Sequence, residues 1–218
     1  MGRKPLPKAR SLNVDKRNAW LKIIFPYFSK HGFSEVKMDQ LSNLVGVSKA
    51  TFYKHFISRE DLIQTLLKSK MDEVSIALPV LSDVQYTFQE RYLKSTELSC
   101  IAIAGLSNIF LSDLKREFPL LHAELEFFRA QLLERVTAFY KEAQMDGFLR
   151  KDIDVRVLTM TEDVVYAAAS DPDFLIRYNT TLEEFLIKYF HMRSLATLSN
   201  YTEETSQFFS NLIGKLGV

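Results

Sequence analysis

Apolar residues in this chain return every three or four positions and nowhere alternate in twos over a useful length. Trp20, Leu21, Ile24, Phe25 and Phe28 fall on one helical stripe, and Leu62, Ile63, Leu66, Leu67 and Met71 on another. Seven Gly and six Pro among 218 residues are too few for an all-β chain that must turn every ten residues or so. The spacing therefore predicts an all-α fold. Helices are expected over 14–31, 38–45 and 49–56, then from a Ser58 cap to about residue 77, and over 86–111, 118–146, 154–169, 181–199 and 203–213. Asp171-Pro172-Asp173 reads as a turn.

The punctuation is most informative near the N-terminus. Gly32 stops the first helix. Pro26 lies inside it and predicts a kink over 22–26, because proline removes a hydrogen bond and crowds the carbonyl four residues back. A short helix follows, then the turn Gly46-Val47-Ser48, then Lys49 to Phe56, with Ser48 placed to cap it. Ser58 with Asp61 three positions on resembles a capping box. Two short helices joined by a glycine-containing turn make a helix-turn-helix pattern, which many bundles share. The second of these helices narrows the reading. Phe52 and Phe56, four apart, face a core and leave Lys49, Thr51, Tyr53, Lys54 and His55 outward. Such side chains suit phosphates and base edges.

Charge points the same way. Residues 1–59 hold 12 Lys and Arg against 3 Asp and Glu, a net +9, while residues 60–218 hold 16 against 24, a net −8. One end attracts polyanions and the other repels them. The basic stretch 1–13, with two prolines, reads as a flexible arm, either a minor-groove contact or a solubilising tail.

Other chemistries lack a motif. A single cysteine, Cys100, can form no intrachain disulfide, which fits a reducing cytoplasm. The four histidines show no metal-ligand spacing, and neither a phosphate-cradling glycine loop nor a nucleophile elbow occurs. No metal, no cofactor and no enzymatic activity is expected. No stretch approaches the ~20 apolar residues that a membrane span needs, and no secretory signal is expected.

The run FSKHGFSEVKMDQLSNLVGVSKATFYKHFISREDLI, residues 28–63, resembles the TetR family of helix-turn-helix transcriptional regulators. It follows that family's order: a Phe four before Gly-Phe, an apolar-led short helix, Gly-Val-Ser, Tyr-x-x-Phe, and a Ser-basic-Glu-x-Leu helix start. The resemblance implies a homodimer on a palindromic double-stranded operator. Residues 14–58 would be the DNA-binding domain and 59–218 a helical ligand-binding and dimerisation domain. It implies DNA contacts by Lys37, Ser48, Lys49, Ala50, Thr51, Tyr53, Lys54, His55 and Arg59, with Tyr53 and Arg59 on phosphate. Lys37 stands where relatives carry a Ser or Thr cap. The function implied is that of a repressor released by a small effector. The aromatic load suggests an apolar or aromatic effector lodged among Phe110, Phe127, Phe128, Phe139 and Tyr166, although core packing explains each ring singly. The dimer seam is assigned to Phe185, Tyr189, Met192, Phe208, Phe209 and Leu212, residues that would otherwise close the monomer's own core. The competing reading is a helical small-molecule or protein-binding module that has lost DNA binding.

Overall fold

The computed structural model describes residues 14–103, 106–201 and 207. The expected arm at 1–13, almost all of the expected helix 203–213, and the seam residues Phe208, Phe209 and Leu212 lie outside the described residues. What is described is helical: α1 Val14–His31, α2 Met38–Leu44, α3 Lys49–Tyr53, α4 Arg59–Ala77, a 3-10 turn Leu78–Ser82, α5 Phe88–Ile103, α6 Asn108–Glu117, α7 Pro119–Met145, α8 Val155–Ala169, α9 Pro172–Arg177 and α10 Leu182–Thr197. Among the described residues β-pairing is limited to one isolated antiparallel bridge, Leu149 with Leu198.

The helix starts are chemically marked. Ser48, Ser58, Ser107, Asp154, Asp171 and Thr181 each accept a first-turn N–H, which satisfies a donor the helix itself leaves open. α1 runs unbroken through Pro26, which stands on the exposed side.

Two expectations change. The helix expected over 86–111 is two helices, because Ser107 caps a new start by accepting from the Phe110 N–H at 3.2 Å. The turn expected at Asp171-Pro172-Asp173 opens a helix, α9, with Asp171 as cap and proline in its first turn, where a missing N–H costs nothing.

Two cores result. One joins α1, α2, α3 and the first half of α4 to α6 and the start of α7, through Ile24, Phe28, Phe33, Leu41, Phe52, Phe56, Leu62, Phe110 and Leu114, all fully buried. The other gathers α5, α8, α10 and the rest of α7 around Tyr92, Tyr140, Leu186 and Phe190. α4 serves both, with Leu62 to Leu67 in the first and Val74 in the second.

Candidate functional site

α2 and α3 meet through a tight chain reversal. Gly46 adopts φ +71, the left-handed conformation that costs glycine little. Its N–H donates to Asn43 at 3.0 Å, and the Val47 N–H donates to Ser42 at 2.9 Å. Those two bonds close α2 in the Schellman pattern and aim α3 away from it. Ser48 Oγ accepts from the Thr51 N–H at 3.2 Å and starts α3. Behind α3, Phe52 and Phe56 are fully buried with ring centroids 5.8 and 6.5 Å from Trp20 of α1. Ser48, Ala50, Tyr53 and Lys54 remain exposed on the opposite side, Tyr53 with 45% of its surface open. Lys37, exposed, precedes α2. Its ammonium cannot cap, and Gln40 Oε1 instead accepts the Lys37 N–H at 2.8 Å.

Several residues expected on this surface are otherwise engaged. Lys49 is exposed but ion-paired to Asp39 in the first turn of α2. The half-buried Thr51 shares a 2.9 Å hydrogen bond with the Ser48 hydroxyl. His55, expected outward, turns inward. Its ring lies edge-on to Trp20 at 4.8 Å, and its Nδ1 is buried with no hydrogen-bond partner. The partner that draws it in, Trp20, lies in α1, far away in sequence. Burial first, then the charges of Arg17 and Lys16, hold the His55 pKa below the usual histidine value. Arg59, expected on phosphate, also turns inward. It donates to the carbonyls of Phe33 (3.2 Å) and Ser34 (2.6 Å) and pairs with Glu117 at 2.6 Å.

Those bonds belong to a polar latch that seats the helix-turn-helix on α6. Asp113 Oδ2 accepts the N–H of Phe33 at 2.7 Å and of Ser34 at 3.0 Å, just past the end of α1. Arg116 donates to Asp113 Oδ1 at 2.6 Å and to the Ser34 hydroxyl. Burial works to raise the Asp113 pKa. The hydrogen bonds from Ser34, Phe33 and Arg116 outweigh it and hold the carboxyl below the ordinary range. Gly32, at φ +70, lets the chain pass so close that a Cβ there would stand 2.4 Å from Asp113 Oδ2. Neither Asp113 nor Glu117 stands out in the sequence, because each lies on a charged helix with no special spacing.

A family profile described as "Bacterial regulatory proteins, tetR family" matches residues 27–66, the segment that holds this reversal. Over that segment the chain is similar to the DNA-binding helices of the TetR family. The chain is also 26% identical over 126 residues to the uncharacterised HTH-type transcriptional regulator YxbF of Bacillus subtilis. That match covers 57% of this chain and only 31% of the relative. Among solved structures, it resembles the ketosteroid transcriptional regulator KstR2 of Mycobacterium tuberculosis, with a TM-score of 0.63 and 15% identity over 85% of this chain and 96% of that one. The TetR family protein CprB from S. coelicolor gives a TM-score of 0.63 at 16% identity, covering 93% and 96% of the two chains. A gamma-butyrolactone receptor gives 0.60 at 15%, covering 94% and 98%. At such identities these likenesses establish the fold.

The rest of the chain forms a part-open cavity of about 400 Å³ between α4, α5, α6, α7 and α8. Leu98, Leu111, Leu125, Phe128, Leu132 and Val136 form much of its apolar wall. Of the five rings expected in a pocket, Phe128 and Tyr166 line it. The other three do not. Phe110 is buried in the first core against Phe25 and Phe33. Phe127 is 67% exposed, one position around α7 from Phe128. Phe139 shares the inner face of α7 but lies roughly 16 Å further along its axis, where it stacks on Phe88 at 5.3 Å.

Beside the cavity lies a buried polar cluster that the sequence did not announce. Arg193 donates to Glu162 Oε1 at 2.7 Å and to Thr96 at 2.9 Å, and the Tyr140 hydroxyl donates to the same Glu162 oxygen at 2.9 Å. Glu162 reads in the sequence as one more carboxylate on a solvated helix face. The available signal is its neighbours on α8, since Thr159, Glu162 and Tyr166 share one face.

Of the expected seam residues, Met192 is exposed, Tyr189 is buried in the chain's own core, and Phe185 packs between Phe174 and Tyr189. An apolar stripe that the sequence reading missed runs along the outer face of α8: Val157, Met160 and Val164, all exposed. Leu195 of α10 is exposed as well.

Proposed function

We propose that this chain is a sequence-specific DNA-binding regulator of transcription that works as a homodimer and represses by occupying a palindromic operator. The observation that carries this reading is the surface of α3. Ser48, Ala50, Tyr53 and Lys54 stand exposed on a helix anchored from behind by Phe52 and Phe56. Residues 14–58 form the reading head and 59–218 the effector and dimerisation part. Tyr53 and Ser48 donate to phosphates, Lys54 and Lys37 supply charge, and Ala50 meets a base edge or a thymine methyl. Lys49 and Thr51 join them by exchanging partners within the site, Asp39 and Ser48, for DNA.

The dimer is proposed to form on the outer faces of α8 and α10. Met160 and Val164 are two-thirds exposed there, an arrangement that favours a covering partner. Two heads then meet successive major grooves about one helical turn, ~34 Å, apart. The cavity is the effector site, and an occupied cavity favours a head spacing that no longer fits the operator. Two structural neighbours carry names that fit a small-molecule trigger, a ketosteroid transcriptional regulator and a gamma-butyrolactone receptor. Among the described residues no helix is long and apolar enough to cross a membrane, and a cytoplasmic regulator is proposed.

The test is selection from random duplex oligonucleotides with the purified full chain. Enrichment of a palindrome supports the reading. A flat selection overturns it in favour of a binding module without DNA function.

A further inference from the structure

The cavity's charges are already paired. At its mouth Arg129 binds Glu126 at 3.2 Å and Asp163 at 3.0 Å. Lys70 pairs with Glu73 at 3.0 Å and lies over the Phe25 ring. Glu162 is held by Arg193. The lining therefore offers two cations, Lys70 and Arg129, against three carboxylates, Glu126, Glu162 and Asp163, with no cation left over for a ligand's own carboxylate. Burying an unpaired anion there is costly.

One buried polar group on the wall is unspent, while Asn108, exposed at the rim, is open to water. Tyr166 lines the cavity, its hydroxyl oxygen is buried, and nothing meets it in hydrogen-bonding geometry among the described residues. Ser99, whose hydroxyl lies near it, donates instead to the Ser95 carbonyl at 3.0 Å. Burial, then the neighbouring Glu162 carboxylate, keeps the phenol protonated far above neutral pH, so it remains a donor. A buried donor without an acceptor is a standing cost that an incoming oxygen removes.

We propose that the cavity takes an uncharged, mostly apolar molecule whose single carbonyl, ether or hydroxyl oxygen accepts a hydrogen bond from Tyr166, and that it rejects carboxylates. This rests on the reading of the cavity as the effector site, and it names the chemistry that site selects. The volume, about 400 Å³, is at the small end for ligand sites, so the body is a compact ring system or a short chain.

The test uses two fluorescent probes on the full-length protein without DNA. One is the neutral ketone 6-propionyl-2-(dimethylamino)naphthalene, and the other is the anion 6-(dimethylamino)-2-naphthoate. The ketone should bind saturably, one per chain, and the carboxylate at least roughly tenfold more weakly. Tyr166→Phe keeps the ring and removes only the donor. It should weaken the ketone by roughly three- to tenfold and shift its emission to the blue, the signature of a carbonyl that has lost its hydrogen bond. Leu132→Trp, which fills the cavity, should abolish ketone binding. Equal affinity for the two probes, an unchanged Tyr166→Phe variant, undiminished binding by Leu132→Trp, or no saturable ketone binding would each overturn the proposal. Operator affinity is measured apart from these titrations, so a failed DNA selection leaves the cavity chemistry separately judged.

Discussion

At single positions, spacing carried as far as the helix that supports it. Phe52 and Phe56 are legible as a buried pair because four residues return the same helical face. His55 is not, because its contact is with Trp20 of α1, a partner 35 positions away in sequence that spacing within α3 does not reveal. Arg59 is equally illegible, since its partners, Phe33, Ser34 and Glu117, are far away in sequence. Two expectations belong to this scale. Lys54→Ala should weaken operator binding and flatten its salt dependence by about 1.8 in the log–log slope, the share of two phosphate contacts, one from each subunit. Titration of the selected duplex at several salt concentrations reads both, and an unchanged slope would remove Lys54 from the interface. His55 concerns stability. Its folded-state pKa is depressed, so below about pH 6.5 the unfolded chain binds more protons than the folded one. Its penalty is absent at neutral pH and grows as pH falls through that value. His55→Phe should therefore melt with a flatter pH dependence between neutral pH and about pH 5.

Among elements, helix starts were more legible than helix breaks. The Ser48 and Ser58 caps follow from residue type and position. The break near Ser107 was hidden because Leu106, Ile109, Phe110 and Leu111 continue an apolar run that suits either one helix or two. α9 starts on an Asp followed by Pro, a pattern that suits a turn as well as a helix start. The latch between α6 and the end of α1 was illegible, since nothing local pairs Asp113 with the backbone of Phe33. It can be tested by removing it. Asp113→Ala leaves two N–H donors short of their acceptor, one of them buried, at about 1–3 kcal/mol for such a loss. In a chain of this size that is a fall in melting temperature of roughly 3–10 °C. Thermal denaturation followed by circular dichroism measures it. The glycines give a paired control. Gly32 and Gly147 both have left-handed φ, +70 and +78, so alanine strains each backbone. Around Gly147 a Cβ meets nothing within 4 Å, whereas at Gly32 it runs into Asp113 and Ile109. Gly32→Ala should destabilise clearly more than Gly147→Ala, and equal losses would contradict the tight latch.

For the whole molecule the charge split marked the end that, on our proposal, reads DNA, and helical periodicity marked the fold class. The seam was harder to place, because an apolar residue on a helix looks the same whether it faces its own core or a second chain. Of the residues assigned to the seam by resemblance, Tyr189 is buried in the monomer's core and Phe185 is half-buried against it, whereas Val157, Met160 and Val164 face outward on the side of α8 opposite Tyr166 and the cavity. One helix thus presents the cavity to one side and, on our proposal, the partner chain to the other, so a ligand against α8 has a short path to the spacing of the two heads. Met160→Glu puts this to the test. A charge at a position two-thirds exposed costs a monomer little, but inside a dimer seam it buries an unpaired carboxylate. The variant should keep its melting behaviour when dilute, elute as a monomer in size-exclusion chromatography with light scattering, and lose most of its affinity for a full palindrome while retaining weak binding to a half-site. A Met160→Glu protein that stays dimeric and binds the palindrome as before would move the seam away from α8.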